Sequence, residues 1–338
     1  MDVLSEVLQQ VRLSGAVLFR ASFFEAWCAV VSTESAVVTE VMPATSHLIS
    51  FHVVLSGQMS AKLADGKELR LKSGEVVVLP HGDSHLIGDS LNRMPVSKWD
   101  LFGEQSLPET RDLNWGEGTL RTRILCGYLG CERDAFTPLF AALPRMFKVC
   151  LGSDAPPPQP LLAFAEQEAV SQLSGAGCSR LRVAELMFVE ALRHHMADLP
   201  ETGSGWLAGL RDPLVGRALG LLHGAPARRW TVESLAQAAA TSRSRLADRF
   251  ISVLGEPPMQ YLTRWRMLLA ARHLRESRAS IASIAEMVGY ESSSAFQRVF
   301  TRHMGATPAG WRRAGAAGQE TSDKSGLPSR PTRPSAPA

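Results

Sequence analysis

The chain holds 338 residues, with 36 Lys and Arg against 33 Asp and Glu, a formal net charge of +3 and 45% hydrophobic residues; that length supports two domains, each with its own core. No apolar run reaches the roughly 18 residues of a membrane span, and the opening Met1-Asp-Val-Leu-Ser-Glu6 carries acids where a secretory leader is basic. Five cysteines (Cys28, Cys126, Cys131, Cys150 and Cys178) without a CxxC pair argue against a disulfide scaffold and a structural zinc site, so a reducing, cytoplasmic setting is expected.

Residues 1–151 read as rich in strands. Met59–Leu63 alternates apolar and polar residues, Asp65-Gly66 reads as a two-residue hairpin turn, and Leu69 and Leu71 resume the alternation. Gly74 opens another turn, and Val76–Leu79 is a buried-strand run ending at Pro80. Short strands punctuated at this interval point to a small antiparallel barrel. The segment Gly74-x5-Pro80-x-Gly82-x2-His85 is similar to the second motif of the cupin fold, and His52-Val-Val-Leu-Ser-Gly57 is similar to the strand and turn before it. The region from about residue 10 to 100 therefore resembles a cupin-type sensor domain.

In cupin enzymes the resemblance would imply a metal held by an HxH pair, a glutamate and a further histidine. Here the HxH pair is missing, since Ser50 and Val54 occupy the same-face positions beside His52. His52, His81 and His85 are the candidate effector-pocket residues. Two readings of them stand side by side: three imidazoles converging on zinc or iron, or hydrogen-bonded histidines at a strand end that line a small-molecule pocket with Trp27 or Phe51. No cofactor, metal or catalytic residue is expected.

Residues 152–204 read as a linker and a helical segment. Gly152-Ser-Asp-Ala-Pro-Pro-Pro-Gln-Pro160 has the composition of a semi-rigid linker. Leu161, Leu162, Phe164, Ala165, Glu168 and Ala169 then share one helical face, and Leu181, Ala184, Glu185, Phe188, Val189 and Leu192 share a second. His194 and His195 close that second helix, where the dipole favours imidazolium.

Residues 205–314 repeat themselves. Ser242-Arg-Ser-Arg-Leu246-Ala-Asp-Arg-Phe250-x4-Gly255-x2-Pro258 returns as Ser292-Ser-Ser-Ala-Phe296-Gln-Arg-Val-Phe300-x4-Gly305-x2-Pro308. Upstream, Val232-x2-Leu235-Ala236-x2-Ala239 pairs with Ile281-x2-Ile284-Ala285-x2-Val288 at an offset of 49 rather than 50, so the second turn carries one extra residue. Thr231 and Ser280 stand at N-cap positions of the first helix of each copy, and Ser242 and Ser292 at those of the second. Two helix-turn-helix units follow, each with a polar face outward: Arg243, Ser244, Ala247 and Asp248 in one, Ser293, Ser294, Gln297 and Arg298 in the other. Residues 211–313 hold 16 arginines, no lysine and seven acids, a net of +9, against −7 for residues 1–210. A basic domain joined to an acidic one is expected where only one of them meets phosphate.

The stretches Ile284-Ala-Glu-Met-Val-Gly-Tyr-Glu291, Phe296-Gln-Arg-Val-Phe300 and Gly305-Ala-Thr-Pro308 resemble the signature of the AraC/XylS family of bacterial transcription regulators, and Gly255–Arg266 resembles the start of its linker helix. The resemblance implies two helix-turn-helix units joined by one long helix, about seven helices in all, with Ser244, Ala247 and Asp248 of the first copy and Ser293, Ser294, Gln297 and Arg298 of the second facing DNA; Arg243, outward beside them, is expected to bind DNA as well. Ala240 departs from the glycine often found in the first turn, and alanine adopts a left-handed conformation only at a cost.

The fold class is thus α+β: an N-terminal cupin-like β-barrel followed by helices, then an all-α double helix-turn-helix domain. The expected function is that of a sequence-specific DNA-binding transcription regulator answering to a small-molecule effector. Its expected partners are double-stranded promoter DNA, that effector, RNA polymerase and a second copy of the chain, with no membrane. Two alternatives differ in class: a cupin-type metal-dependent enzyme carrying a DNA-binding domain, and a DNA-binding protein that needs no ligand. Residues 315–338, rich in Gly, Ser, Pro and Ala, are expected to be disordered.

Overall fold

A computed structural model describes residues 2–11, 13–32, 42, 45, 47–96, 101, 112–131, 138–151, 158–200 and 203–314. The expectation for residues 315–338 lies outside them. The N-terminal half opens with helix α1 (Val3–Val11) and continues through strands β1 (Leu13–Phe23), β2 (Cys28–Val31), β3 (His47–Ser56), β4 (Gln58–Leu63), β5 (Glu68–Lys72), β6 (Glu75–Leu79) and β7 (His85–Gly88). After these come β8 (Asp112–Trp115), β9 (Thr122–Cys131), helix α2 (Pro138–Ala142) and β10 (Phe147–Cys150). The strands form a six-stranded sheet in the order β10-β6-β3-β9-β1-β8 and a four-stranded sheet in the order β2-β7-β4-β5. Among the described residues the two sheets face each other without closing into one ring of paired strands, and β8 lies parallel to β1.

Both faces of the six-stranded sheet are covered, which explains its continuous apolar runs. Along β3, Ile49, Phe51 and Val53 point to the helices, whereas Leu48 and Val54 point to the second sheet. The same parity divides Val76 and Val78 from Val77 and Leu79 on β6, and Leu125 and Leu129 from Ile124, Cys126 and Tyr128 on β9.

Helices α3 (Pro158–Val170) and α4 (Ala176–Asp198) cover the helix-facing side. The α4 residues Val183, Ala184, Met187, Phe188, Ala191 and Leu192 are buried there, each large aliphatic or aromatic side chain contributing on the order of 1.5–3 kcal/mol. Three expectations are corrected here. Residues 158–160 are the first turn of α3 rather than linker, because proline is tolerated where the helix has no partner for its N–H; residues 152–157 lie outside the described residues. Phe164 faces outward, 47% exposed, while Leu162, Ala165 and Ala169 turn inward. The β4–β5 hairpin closes over three residues, 64–66, since Leu63 pairs with Lys67 and Gly66 takes the left-handed position at φ 92°.

The C-terminal half contains α5 (Trp206–Arg211), α6 (Pro213–Gly224), α7 (Val232–Ala238), α8 (Arg243–Leu254), α9 (Pro258–Glu276), α10 (Ile281–Met287) and α11 (Ser293–Met304), with a further helical stretch at 308–314. The caps fall where the sequence places them. Thr231 accepts from the Ser234 amide in a reciprocal box, and Ser242, Ser280 and Ser292 accept from Arg245, Ser283 and Ala295. Leu246, Phe250, Phe296 and Phe300 are fully buried. The first unit shares one continuous core with the sheet-covering helices, whereas the second packs around its own cluster of Ile284, Phe296, Phe300 and the C-terminal half of α9.

Ala240 has φ 54°, the one described residue besides glycine with positive φ, and its repeat partner Gly289 has φ 85°. The first turn therefore keeps the shape of the second at the cost of a left-handed alanine. Replacing Ala240→Gly should stabilise the chain by about 0.5–1 kcal/mol. Gly289→Ala should destabilise it, because the added Cβ would sit 2.6 Å from the Ala227 carbonyl oxygen. Urea titrations followed by tryptophan fluorescence check both signs, and a loss of stability in Ala240→Gly would contradict the strain argument.

Candidate DNA interface and ligand cavity

The outward face of each second helix is open. Arg243, Ser244 and Asp248 are exposed on α8 and Ala247 is half-buried; on α11 Ser294, Gln297 and Arg298 are exposed and Ser293 is half-buried. These faces are held by their inward residues and by short-range contacts. Arg243 pairs with Glu233 of α7 at 2.9 Å, and the Gln297 amide donates to the Ser293 hydroxyl at 3.2 Å. Arg249 is drawn away from Asp248: it binds Asp212 at 2.7 Å, the residue that caps α6. Burial of the Asp212 side chain is outweighed by those hydrogen bonds, which hold its carboxyl below the usual range.

The N-terminal half holds an apolar cavity of about 110 Å³ between the two sheets. Trp27 and His52 line it, with Phe19, Ala21, Ile124, Cys126 and Tyr128 among their neighbours. Phe51 does not, because its odd position on β3 turns it to the helix side. Of the three sequence-derived histidines, His52 alone reaches the cavity. His85 lies behind it, 2.9 Å from nitrogen to nitrogen, and His81 turns to the Leu143 carbonyl at 3.0 Å. The three imidazoles do not converge.

What His52 and His85 build is a chain of hydrogen bonds with one consistent proton arrangement. The Asp83 carbonyl only accepts, so His85 Nδ1–H donates to it at 2.8 Å. His85 Nε2 then carries a lone pair and accepts from His52 Nε2–H. His52 Nδ1 in turn accepts from the Cys126 thiol at 3.1 Å. Strand register makes this possible, since His52 faces Cys126 across the β3–β9 pair. Burial lowers the pKa of His52 well below the ordinary imidazole value, with His85 adding to the effect, lowers that of His85 to about 4, and pushes the Cys126 thiol up. The chain is therefore neutral near pH 7. Because Cys126 and His85 meet opposite nitrogens of one ring, they do not share a point where an ion would sit. Among the described residues no group of three or more His, Cys, Asp or Glu is placed to hold a metal ion.

Sequence reasoning missed Phe19, Ala21, Ile124 and Tyr128, whose only signal was alternation within apolar strands. It also misread His195. Where the helix dipole is expected to favour imidazolium, His195 is half-buried against Phe147, ring centres 4.3 Å apart, and desolvation lowers its pKa.

Residues 2–197 match a family model described as cupin, and residues 235–314 match one described as a helix-turn-helix domain. A putative AraC-like transcription regulator of Streptomyces lividans is 53% identical over 152 residues, covering 45% of this chain and 50% of that protein. A second, from Streptomyces antibioticus, is 35% identical over 268 residues, 79% of this chain and 87% of that protein. The HTH-type transcriptional regulator AlkR of Acinetobacter baylyi is 27% identical over 323 residues, 92% of this chain and 99% of that protein. No helix among the described residues is long and apolar enough to cross a membrane.

The neutral histidines make stability depend on pH. Unfolded imidazoles take up protons below about pH 6.5, whereas His85 in the fold does so only near pH 4. Stability should therefore be fully present above pH 6.5 and fall as the pH drops from 6.5 towards 4, by on the order of 2 kcal/mol at pH 5 from His85 alone. Thermal melts at pH 7.5 and 5 measure it, and His85→Gln should shrink the difference between them.

Proposed function

Since the chain belongs to the AraC-like transcription regulators, with a cupin domain ahead of a DNA-binding helix-turn-helix domain, we propose that α8 and α11 enter successive major grooves of promoter DNA while the cavity between the sheets holds a small-molecule effector. The observation that carries this reading is the twofold repeat of a capped helix with buried aromatic or aliphatic residues inward and polar residues outward. Arg243, Ser244, Ala247 and Asp248 then face bases or phosphates from the first unit, and Ser293, Ser294, Gln297 and Arg298 from the second. Gln297 suits adenine and Arg298 suits guanine or phosphate. The surrounding arginines supply affinity through the backbone.

In this reading the cupin domain is a binding module and not an enzyme: both ring nitrogens of His52 are engaged within the protein. Two copies of the chain pair through α3 and α4, where Phe164 and Leu186 are each 47% exposed. The bound pair acts in the cytoplasm, where contact with RNA polymerase would turn DNA binding into a change in transcription.

Gln297→Ala should cost roughly 1–3 kcal/mol on the best site and relax preference at one base pair. Arg272→Ala, in a residue already tied to Glu276 at 2.8 Å, should at most weaken all sequences alike. Binding titrations on matched and scrambled duplexes at several salt concentrations separate the two behaviours; an unchanged specificity ratio in Gln297→Ala would refute its assignment as a base reader. Footprints of the full chain should show two protected major-groove segments about 10 base pairs apart for each bound copy. A single protected segment per copy would leave one unit without a role in reading DNA.

A further inference from the structure

We propose that the effector is a small, uncharged, largely apolar molecule about the size of one substituted ring, carrying a single hydrogen-bond acceptor such as a carbonyl oxygen. The inference rests on the sensor reading above and adds the chemistry of the ligand.

Size comes first. A dry apolar cavity of about 150 Å³ holds benzene, and this one measures about 110 Å³, so it takes a single ring with modest adjustment of its walls. Charge is next. No Asp, Glu, Lys or Arg occurs among the described lining residues, so a carboxylate or an ammonium group would lose its hydration and find no counter-charge among them. His52 does not supply one. Its Nδ1 accepts from Cys126, its Nε2–H is spent on His85, and burial keeps the ring neutral. A sugar fails for a related reason: each of its hydroxyls needs a partner, and the wall is mostly carbon from Phe19, Ala21, Ile124 and their neighbours.

The acceptor is inferred from Trp27. This lining residue is 1% exposed and stacks on Phe23 with ring centres 3.6 Å apart. Its Nε1–H is buried and has no hydrogen-bond partner among the described residues. A buried donor left unpaired is costly, and a ligand oxygen that reaches it as the walls adjust would relieve that cost. Access lies along β2, where Val30 is 55% exposed while lining the same cavity.

The test uses the full chain and four probes, acetophenone, ethylbenzene, benzoate and L-arabinose, in calorimetric titrations and thermal-shift measurements. Acetophenone should bind and raise the melting temperature, ethylbenzene should bind more weakly, and benzoate and arabinose should do neither. Ala21→Phe fills the cavity and should weaken acetophenone binding at least tenfold. Trp27→Phe keeps an aromatic ring but removes the donor, and should lower the acetophenone-to-ethylbenzene affinity ratio by roughly two- to tenfold, the range set by one net hydrogen bond. Where Ala21→Phe fails to fold, Trp27→Phe still decides, because its readout is a ratio within one protein. Benzoate or arabinose binding in place of acetophenone would overturn the ligand class and leave the sensor reading standing. Silence from all four probes would overturn both. Acetophenone binding unchanged in a folded Ala21→Phe would place the ligand elsewhere and overturn the site.

Discussion

The hydroxyl of Tyr261 ties together three helices of the C-terminal half, at the place where α1 packs against them. It accepts from Trp206 Nε1–H at 2.9 Å and shares a second hydrogen bond with His223 Nε2 at 2.8 Å. His223 Nδ1 lies 3.3 Å from Glu6 of α1, in a contact that makes no hydrogen bond. Helices α5, α6 and α9 meet at this point, and α1 arrives from the other half of the chain. Desolvation lowers the pKa of His223 to about 3 and raises that of Glu6. A buried polar group that loses its partner costs more than the bond was worth, so these residues fix one arrangement of the helices. The continuous apolar core around them, from Val3 and Val7 of α1 to Val215 and Leu219 of α6, supplies the driving force; the polar contacts supply the register.

Helix α9 carries that fixed arrangement to the second unit. Tyr261, Leu262 and Trp265 in its first half belong to the shared core, and Met267, Ala270, Ala271 and Leu274 in its second half belong to the separate one. Arg266 stands at the change-over. Its guanidinium donates to the Pro226 and Arg228 carbonyls and reaches that of Gly289, so it binds the loop before α7 to the turn after α10. Gly289 is glycine for two reasons at one position: its backbone is left-handed, and a Cβ would strike the Ala227 carbonyl. A helix with two faces, one arginine and one glycine therefore set the spacing between α8 and α11.

The helical half was largely legible in the sequence because its signals are local. The caps Thr231, Ser242, Ser280 and Ser292 each lie three residues from the amide they satisfy, and each inward residue lies within a few positions of the next. The cavity was far less so. His52 and Cys126 are separated by 74 positions, and only the β3–β9 register brings them together. His81, closer in sequence to His85 than His52 is, turns away because the Pro80–Gly82 turn delivers it to the Leu143 carbonyl. Local rules failed where a long-range contact outweighed them. Ala240 takes a conformation that alanine disfavours because the turn between two packed helices leaves it no other, and His195 loses the dipole's preference to burial against Phe147.

The alternation that hid the cavity also places it one bond away from the helices. On β1, Phe19 lines the cavity while Leu18 belongs to the helix-side core; on β9, Ile124 and Cys126 line it while Leu125 between them faces the other way. Backbone displacement at a cavity residue therefore moves a residue packed in the core that runs on to α4, α1 and α6. Interiors packed to this density do not absorb such a shift by compression. They pass it on or resist it, and the side chains that meet it are those around His223 and Tyr261, which are held in one arrangement by hydrogen bonds rather than by apolar contact alone. The hydrogen-bonded contacts around His223 and Tyr261 thus lie within the continuous core that runs from the helix side of the sheet to α8.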